Sequence, residues 1–200
     1  EIEYGYIVAS FQIAYAIGLL ITGVFLDKFG TRIVYSIAVT LWSIAGMFHA
    51  VVRNSIGFMV ARFFLGLGES ANFPASVKTV AEWFPKKERA LVTGLFNSGS
   101  NIGAIIAPVI VSLSYTLFNW QFAFILTGAF GFIWLLFWLT TYKIPEKHPN
   151  LSKKELAYIF SDQDVKIEQI PWIKLLRYKQ TVGLCITRFL SDWIWWLFLF

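Results

Sequence analysis

The stretch from Ser55 to Phe84 reads SIGFMVARFFLGLGESANFPASVKTVAEWF and lies among segments that carry no charge. Within it, Arg62 and Glu69 are almost two helical turns apart, so they project from one face of a helix, roughly 10 Å apart along its axis. Charged side chains are costly at membrane depth and usually face a bundle interior or an aqueous pathway. The stretch therefore predicts a membrane helix with a charged inner face. Lys78, on nearly the opposite face, is expected to extend toward the membrane surface.

The composition indicates a membrane protein. The chain is 57% hydrophobic and 14% charged, with a mean hydropathy of +0.62, whereas a soluble domain has about 25% charged residues. Eight of the 17 basic residues lie between Lys143 and Lys179, so the net charge of +5 does not indicate nucleic-acid binding. The single cysteine, Cys185, allows no internal disulfide. We expect an all-α integral membrane protein.

Six apolar runs predict membrane spans, since crossing a bilayer takes about 20 residues. Four of the runs carry no charged residue, whereas Ser55–Phe84 and Thr181–Phe200 do. The six runs are Tyr4–Leu26, Ile33–Val52, Ser55–Phe84, Ala90–Leu117, Gln121–Tyr142 and Thr181–Phe200. Only residues 118–121 separate the fourth run from the fifth, which predicts a tight helical hairpin.

Basic residues orient the spans. Loops 27–32, 85–89 and 143–180 carry two, three and eight basic residues, while the alternate loops carry Arg53 alone. The positive-inside rule places the three basic loops in the cytoplasm. The first span then runs from outside to inside, so we expect that a helix before it and a continuation after Phe200 are missing from the chain.

The polar segment 143–180 contains two short helix signals. Ser152 and Glu155 form a capping box that predicts a helix through Phe160, and Pro171 predicts the start of a second helix with Trp172 and Leu175 on its apolar side. Basic amphipathic helices beside a membrane ordinarily lie on its surface. A regulatory docking site is the alternative.

The first basic turn carries a family resemblance. Residues 23–32 read GVFLDKFGTR, and this sequence resembles the signature loop between helices 2 and 3 of the major facilitator superfamily, with Thr31 in place of a basic residue. The expected gating residues are Gly23, Asp27, Lys28, Gly30 and Arg32. Gly23 would permit close helix approach, Gly30 a tight turn, and Asp27 a contact with the opposite helix bundle.

The loop sets the register of the whole chain. The chain resembles helices 2 to 7 of the superfamily, so the expected fold is a partial major facilitator fold. Residues 1–142 form the N-terminal transmembrane bundle without helix 1, residues 143–180 a central cytoplasmic linker with short amphipathic helices, and residues 181–200 the start of the C-terminal bundle.

Further motifs narrow the resemblance to the anion:cation symporters, and within them to hexuronate transporters. The matching segments are Arg62–Ala75, Ala81–Ala90, Phe96–Gly103 and Arg188–Asp192 with Trp195 and Trp196. The resemblance implies proton-coupled symport of glucuronate or galacturonate across the bacterial cytoplasmic (inner) membrane by alternating access. The alternatives are a transporter of another organic anion, such as galactonate or glucarate, and a drug/proton antiporter. Ala107 before Pro108 disfavours the antiporter, which typically has Gly-Pro there.

The resemblance also implies roles for residues. Glu69 and Arg62 would couple the proton, and a purely structural ion pair is the alternative. Tyr15 would contact the substrate or simply pack against a neighbour. Asn97, Ser100 and Asn101 would supply polar contacts from helix 5, where Gly99 and Gly103 have the spacing of closely packed helices.

The last apolar run offers a second charged pair. Arg188 and Asp192 are four residues apart and can share one helix face. Arg188 would bind the substrate anion, with Asp192 neutralising it at rest, or the two would form a structural pair. Trp196 would offer a flat surface to a sugar ring, although aromatic residues near helix ends are often membrane-interface anchors.

Two other classes of function fit the residues poorly. An enzyme would need a catalytic or metal cluster, yet His49 and His148 are the two histidines of the chain and neither has ligand spacing around it. A channel or inert scaffold would not require the charged and glycine positions above. We expect no enzymatic activity, cofactor or metal. The expected partners are an anionic uronate, a proton and the lipid bilayer, with no nucleic acid and a monomeric protein.

Overall fold

The computed structural model describes residues 2–162, 172–175 and 177–199, and for 172, 173 and 192–199 it describes the backbone alone. The chain divides into two compact units, residues 1–163 and 164–200. The described part is helical and contains no strand. This confirms the all-α prediction.

The first unit contains seven described helices and a short 3-10 turn at Pro145–Lys147. The helices are α1 (Ile2–Phe29), α2 (Thr31–Phe48), α3 (Ser55–Glu69), α4 (Asn72–Trp83), α5 (Lys86–Leu117), α6 (Trp120–Thr141) and α7 (Lys153–Ile159). The second unit contains α8 (Trp172–Leu175) and α9 (Lys179–Leu199). Among the described residues, α1, α2, α5 and α6 are long and apolar enough to cross a membrane.

The predicted span Ser55–Phe84 is two helices. Pro74 has no N–H to donate to the Ser70 carbonyl, and its ring crowds that carbonyl. The Ser70 N–H still donates to the Gly66 oxygen at 3.0 Å, but the Ala71 N–H reaches back only three residues, to the Gly68 oxygen at 3.4 Å. The helix therefore breaks at Ser70 and Ala71, directly after Glu69.

The turns are shorter than predicted. Gly30 alone separates α1 from α2, with a φ of 80° that favours glycine, so Asp27 and Lys28 belong to the last turn of α1. At the predicted hairpin, Phe118 and Asn119 connect α5 to α6. The Asn119 side chain accepts a hydrogen bond from the Phe122 N–H at 2.8 Å and so caps α6.

Glycines of α3 bring three helices together. A Cβ on Gly66 would lie 2.5 Å from the Phe11 carbonyl oxygen of α1, and a Cβ on Gly68 would lie 2.7 Å from the Trp42 backbone nitrogen of α2. Real Cβ atoms essentially never come this close to backbone atoms. Gly66 and Gly68 therefore let α3 pack against α1 on one side and α2 on the other.

The glycines singled out from the sequence behave differently. A Cβ on Gly23, Gly99 or Gly103 would meet no atom of the described residues within 4 Å. The expectation that these positions bring helix backbones close is therefore wrong within the described part of the chain. Besides α3, close approaches occur between α2 and α6, at Gly128 and Gly131.

One end of the bundle carries the basic turns and the aromatic core. We call this the basic end; it comprises the turn at residue 30, the turn at residues 84–85 and the segment 143–162. Its core consists of Leu26, Tyr35, Val39, Ala75, Trp138 and Tyr142. The Tyr142 ring stacks on Trp138 at 4.0 Å, and Tyr35 meets Trp138 edge-on at 4.9 Å between ring centroids.

Candidate functional site

A cavity of about 240 Å³ lies between α2, α3 and α6. Two of its lining side chains, Arg62 and Glu69, are charged, and the full lining is Trp42, Ser43, Gly46, His49, Arg62, Leu65, Glu69, Phe124, Thr127 and Gly128. The structure thus places both predicted proton-coupling residues on the wall of one cavity. Their shared helix face follows from the spacing of the two residues along α3.

Arg62 and Glu69 are both half-buried and are not joined to each other by a direct salt bridge. Among the described residues, Lys78 and Asp27 form a salt bridge at 2.7 Å. A guanidinium and a carboxylate on one cavity wall therefore retain hydrogen-bonding capacity. Such groups can exchange partners when a proton or an anion enters.

Tyr15 lies on α1 beside the same helix. Its backbone nitrogen would be 3.2 Å from a Cβ on Gly66. The half-buried ring stacks on Phe11 at 5.8 Å. The ring therefore packs against a neighbour, and the predicted contact of Tyr15 with the substrate stays a prediction.

His49, which has no ligand spacing around it in the sequence, lines the cavity. Its side chain is 1% exposed and its ring stacks on Phe124 at 5.1 Å. Nδ1 lies 2.7 Å from the Ala45 carbonyl oxygen, while Nε2 has no partner among the described residues. The signal in the sequence was weak, a lone histidine at the end of an apolar run.

The polar residues of α5 lie elsewhere. Asn97, Ser100 and Asn101 are exposed and do not line the cavity with Arg62. Of the described residues of α5, only Ser114 is buried. The structure therefore does not bring these three predicted substrate contacts together with Glu69.

The predicted site residues of α9 fall in the second unit. The Arg188 side chain is exposed. Asp192 and Trp196 belong to the α9 backbone, but their side chains lie outside the described residues. The predicted pairing of Arg188 with Asp192 stays a prediction.

The gating residues meet partners within the first unit. The Lys78 ammonium donates to the Asp27 carboxylate at 2.7 Å and to the Leu26 carbonyl oxygen at 2.9 Å. Lys78 therefore fastens α4 to the end of α1, where the partner carboxylate of Asp27 is exposed. Arg32 donates to the Leu139 carbonyl oxygen of α6 at 2.6 Å, and the Lys28 ammonium lies 5.3 Å from the Phe29 ring centroid.

A second carboxylate organises the basic end and was missed from the sequence. Glu82 accepts hydrogen bonds from the Thr31 hydroxyl at 2.9 Å and from the Tyr142 hydroxyl. It thereby ties together the start of α2, the end of α4 and the end of α6. Thr31 is the position where the signature loop departs from a basic residue, and this departure was the available signal.

The segment after α6 packs against the start of α5. The Tyr158 hydroxyl donates to the Glu88 carboxylate, and the Lys87 ammonium lies 4.6 Å from the Tyr158 ring centroid. The Lys86 N–H donates to Asp162 at 2.9 Å, which lowers the pKa of the Asp162 carboxyl below its usual value. The short helix α7 therefore packs against the start of α5.

The predicted capping box is present. The Glu155 N–H donates to the Ser152 hydroxyl at 3.2 Å and the Ser152 N–H donates to the Glu155 carboxylate at 2.9 Å, so α7 begins where the sequence predicted. The hydrogen bonds from Ser152 lower the pKa of the Glu155 carboxyl. Pro171, the predicted start of the next helix, lies outside the described residues.

Comparisons with known proteins agree with this architecture. The chain is 38% identical over 202 residues to a hexuronate transporter of Escherichia coli K12, covering 98% of this chain and 46% of that protein. It is 36% identical over 201 residues to a galacturonate transporter of Dickeya chrysanthemi, covering 98% of this chain and 58% of that protein. A D-galactonate transporter of Escherichia coli O6:H1 is 31% identical over 211 residues, and the match covers 98% of this chain and 49% of that protein.

One family model matches the chain from its first residue to its last. The chain spans about half the length of the curated relatives it matches. The family model described as Major Facilitator Superfamily matches residues 1–200. Together with the four long apolar helices, this match makes the chain part of a multi-pass membrane protein. The chain belongs to the Major Facilitator Superfamily.

Proposed function

We propose that the chain is part of a secondary transporter that carries a sugar acid, a hexuronate, together with a proton by alternating access. The observation that carries the proposal is the pair of opposite charges, Arg62 and Glu69, on the wall of one cavity without a direct salt bridge. A carboxylate in this position can be neutralised by a proton, and the neutralisation changes what the neighbouring guanidinium attracts. The names of the relatives support an acidic sugar as the substrate.

Further roles follow from this proposal. Arg188 would bind the substrate carboxylate, because a guanidinium and a carboxylate can form two parallel hydrogen bonds. The remaining substrate contacts would come from Tyr15, Asn97, Ser100, Asn101, Asp192 and Trp196. The exposed polar groups of α5 are available to a ligand because described residues do not cover them.

The proposed organisation keeps the predicted boundaries. Residues 1–142 would form part of the N-terminal bundle, 143–180 the linker between two bundles, and 181–200 the start of the second bundle. The basic turns would face the cytoplasm of a bacterial cell, with the protein, a monomer, in the cytoplasmic (inner) membrane.

Uptake by the full-length protein in proteoliposomes tests the proposal. Labelled glucuronate, galacturonate and galactonate are offered with and without an inward proton gradient. We expect accumulation of a uronate above equilibrium only with the gradient. Accumulation of galactonate in preference to both uronates would assign the second candidate substrate, which the galactonate-transporting relative supports. Uptake that only equilibrates the substrate would indicate a channel or an uncoupled carrier.

A further inference from the structure

One buried imidazole has an unused nitrogen. The His49 side chain is 1% exposed, and its Nδ1 lies 2.7 Å from the Ala45 carbonyl oxygen. A carbonyl can only accept, so Nδ1 carries the hydrogen and Nε2 of the neutral ring has a free lone pair. Nε2 finds no donor among the described residues. Buried acceptors without partners are uncommon and costly, so Nε2 is an acceptor that a donor reaching into the cavity could use.

A donor with spare capacity lines the same cavity. Arg62 is half-buried, and its guanidinium, which has five N–H donors, makes no hydrogen bond or salt bridge with the described residues. It lines the same cavity as both His49 and Glu69. An unpaired donor thus shares a cavity with two acceptors, one a carboxylate and the other an imidazole nitrogen.

Few other charged groups face His49 from the helices packed against it. From α3 these are Arg62 and Glu69, and from α6 the residues lining the cavity carry no charge. The Phe58 ring of α3 lies 6.0 Å from the imidazole. Arg53, in the turn after α2, holds its guanidinium 5.5 Å from the Trp120 ring centroid. Arg62 is therefore the basic group that shares the cavity with His49.

We propose that Arg62 exchanges between two acceptors, the ionised carboxylate of Glu69 and, when Glu69 is protonated, Nε2 of His49. An ionised carboxylate attracts a guanidinium more strongly than a neutral imidazole does, because the pair carries opposite charges. Protonation of Glu69 removes that advantage and leaves Nε2 as the better acceptor. His49 is then a positioning residue that holds Arg62 away from the protonated carboxyl. The inference rests on the proposed proton coupling at Glu69.

Nitrogen NMR of the full-length protein in nanodiscs, with labelled histidine, tests the exchange directly. The His49 signal is assigned by its loss in His49→Gln. In Glu69→Gln, which mimics the protonated carboxyl, we expect an upfield shift of Nε2 from accepting a hydrogen bond. The shift should disappear in Glu69→Gln combined with Arg62→Leu. No shift in Glu69→Gln, or a shift that persists without Arg62, would overturn the proposal. If Glu69→Gln does not fold, a pH series on the unmodified protein must show the same shift.

A transport measurement separates positioning from packing. His49→Phe keeps a ring to stack on Phe124 but has no acceptor, whereas His49→Gln supplies an acceptor oxygen. We expect His49→Phe to lower pH-driven uptake roughly tenfold, the effect of losing a hydrogen bond to a charged group, and His49→Gln to recover most of it. Equal losses in the two variants would overturn the proposal. Absence of pH-driven uptake in the unmodified protein would defeat the proposed function instead, while the NMR shift would still decide the role of His49.

Discussion

At the scale of single residues, the cavity combines a charge pair with glycine contacts that fix its walls. Gly66 and Gly68 lie between Arg62 and Glu69 on α3 and let this helix pack closely against α1 and α2. The charged groups therefore sit on a helix that has little freedom to shift. In the proposed coupling, the side chains of Arg62 and Glu69 would respond to protonation with little movement of the α3 backbone.

Glu69→Gln should uncouple the proton from the substrate. The amide mimics the protonated carboxyl, so the substrate can still bind and exchange, while accumulation driven by a proton gradient should disappear. Counterflow exchange and pH-driven uptake in proteoliposomes are the two measurements. Glu155→Gln, at an exposed position of α7, is the matched control and should keep both activities. Retention of pH-driven accumulation in Glu69→Gln would move the proton site elsewhere.

Gly66→Ala should destabilise the bundle, and Gly103→Ala should not. The new Cβ at residue 66 would lie 2.5 Å from the Phe11 carbonyl oxygen, while at residue 103 it would meet no described atom within 4 Å. We expect a loss of about 1–3 kcal/mol for the overpacked variant and no loss, or a gain of up to about 1 kcal/mol, for the control from higher helix propensity. Thermal unfolding in detergent compares the two. Equal unfolding temperatures would show that α1 and α3 can separate at no cost.

At the scale of elements, local patterns predicted local structure. The apolar runs predicted the long helices, the short gap at 118–121 predicted the hairpin, and Ser152 with Glu155 predicted the start of α7. The break after Glu69 was missed because hydropathy runs through Pro74 without interruption. The contacts of Glu82 and Tyr158 were missed because they join residues about 50 to 70 positions apart, and no local periodicity records such pairs.

In the candidate site too, only the features set by local sequence spacing could be predicted. Arg62 and Glu69 could be placed on one helix face because their spacing matches the helical repeat. The position of His49 in the cavity lining could not be predicted, because it depends on α2, α3 and α6 meeting at one place. Which helices Gly66 and Gly68 contact could not be predicted either, because these contacts depend on the packing of the whole bundle.

Asp162→Asn should loosen α7 from the start of α5. The ionised Asp162 carboxylate accepts the Lys86 N–H at 2.9 Å, and its pKa lies below the usual value of 3.8 because of this hydrogen bond. Since the folded-state pKa is lowered, the contribution of the carboxylate is present above pH 3.8 and is lost as the pH falls through the lower folded value. Hydrogen exchange of the Lys86 amide near neutral pH should be faster in Asp162→Asn, with Glu155→Gln as the comparison. An unchanged exchange rate would show that α7 docks without this contact.

At the scale of the whole molecule, the two ends of the first unit differ in charge. The basic end gathers Lys28, Arg32 and the basic residues at the start of α5. At the opposite end, Arg53 donates to the carbonyl oxygens of Ala50 at 3.3 Å and Val52 at 3.4 Å. The asymmetry supports the proposed orientation in the membrane. It also places the Asp27 and Lys78 pair where a cytoplasmic gate would open.

Asp27→Asn should slow transport far more than it lowers stability. The Asp27 carboxylate is 63% exposed and Lys78 is 27% exposed, so their salt bridge contributes at most about 1 kcal/mol. A gate that depends on this pair would lose closure on the cytoplasmic side, and substrate uptake would fall while the protein still inserts and folds. Uptake and unfolding temperature are measured together with labelling of single cysteines placed near the basic end, after Cys185 has been replaced. Lys154→Met, at an exposed lysine of α7, is the matched control. Unchanged uptake with unchanged labelling would mean that Asp27 only fastens α1 to α4 and does not act in a gate. A residue that only joins two helices of one bundle is not expected to change access from the cytoplasm.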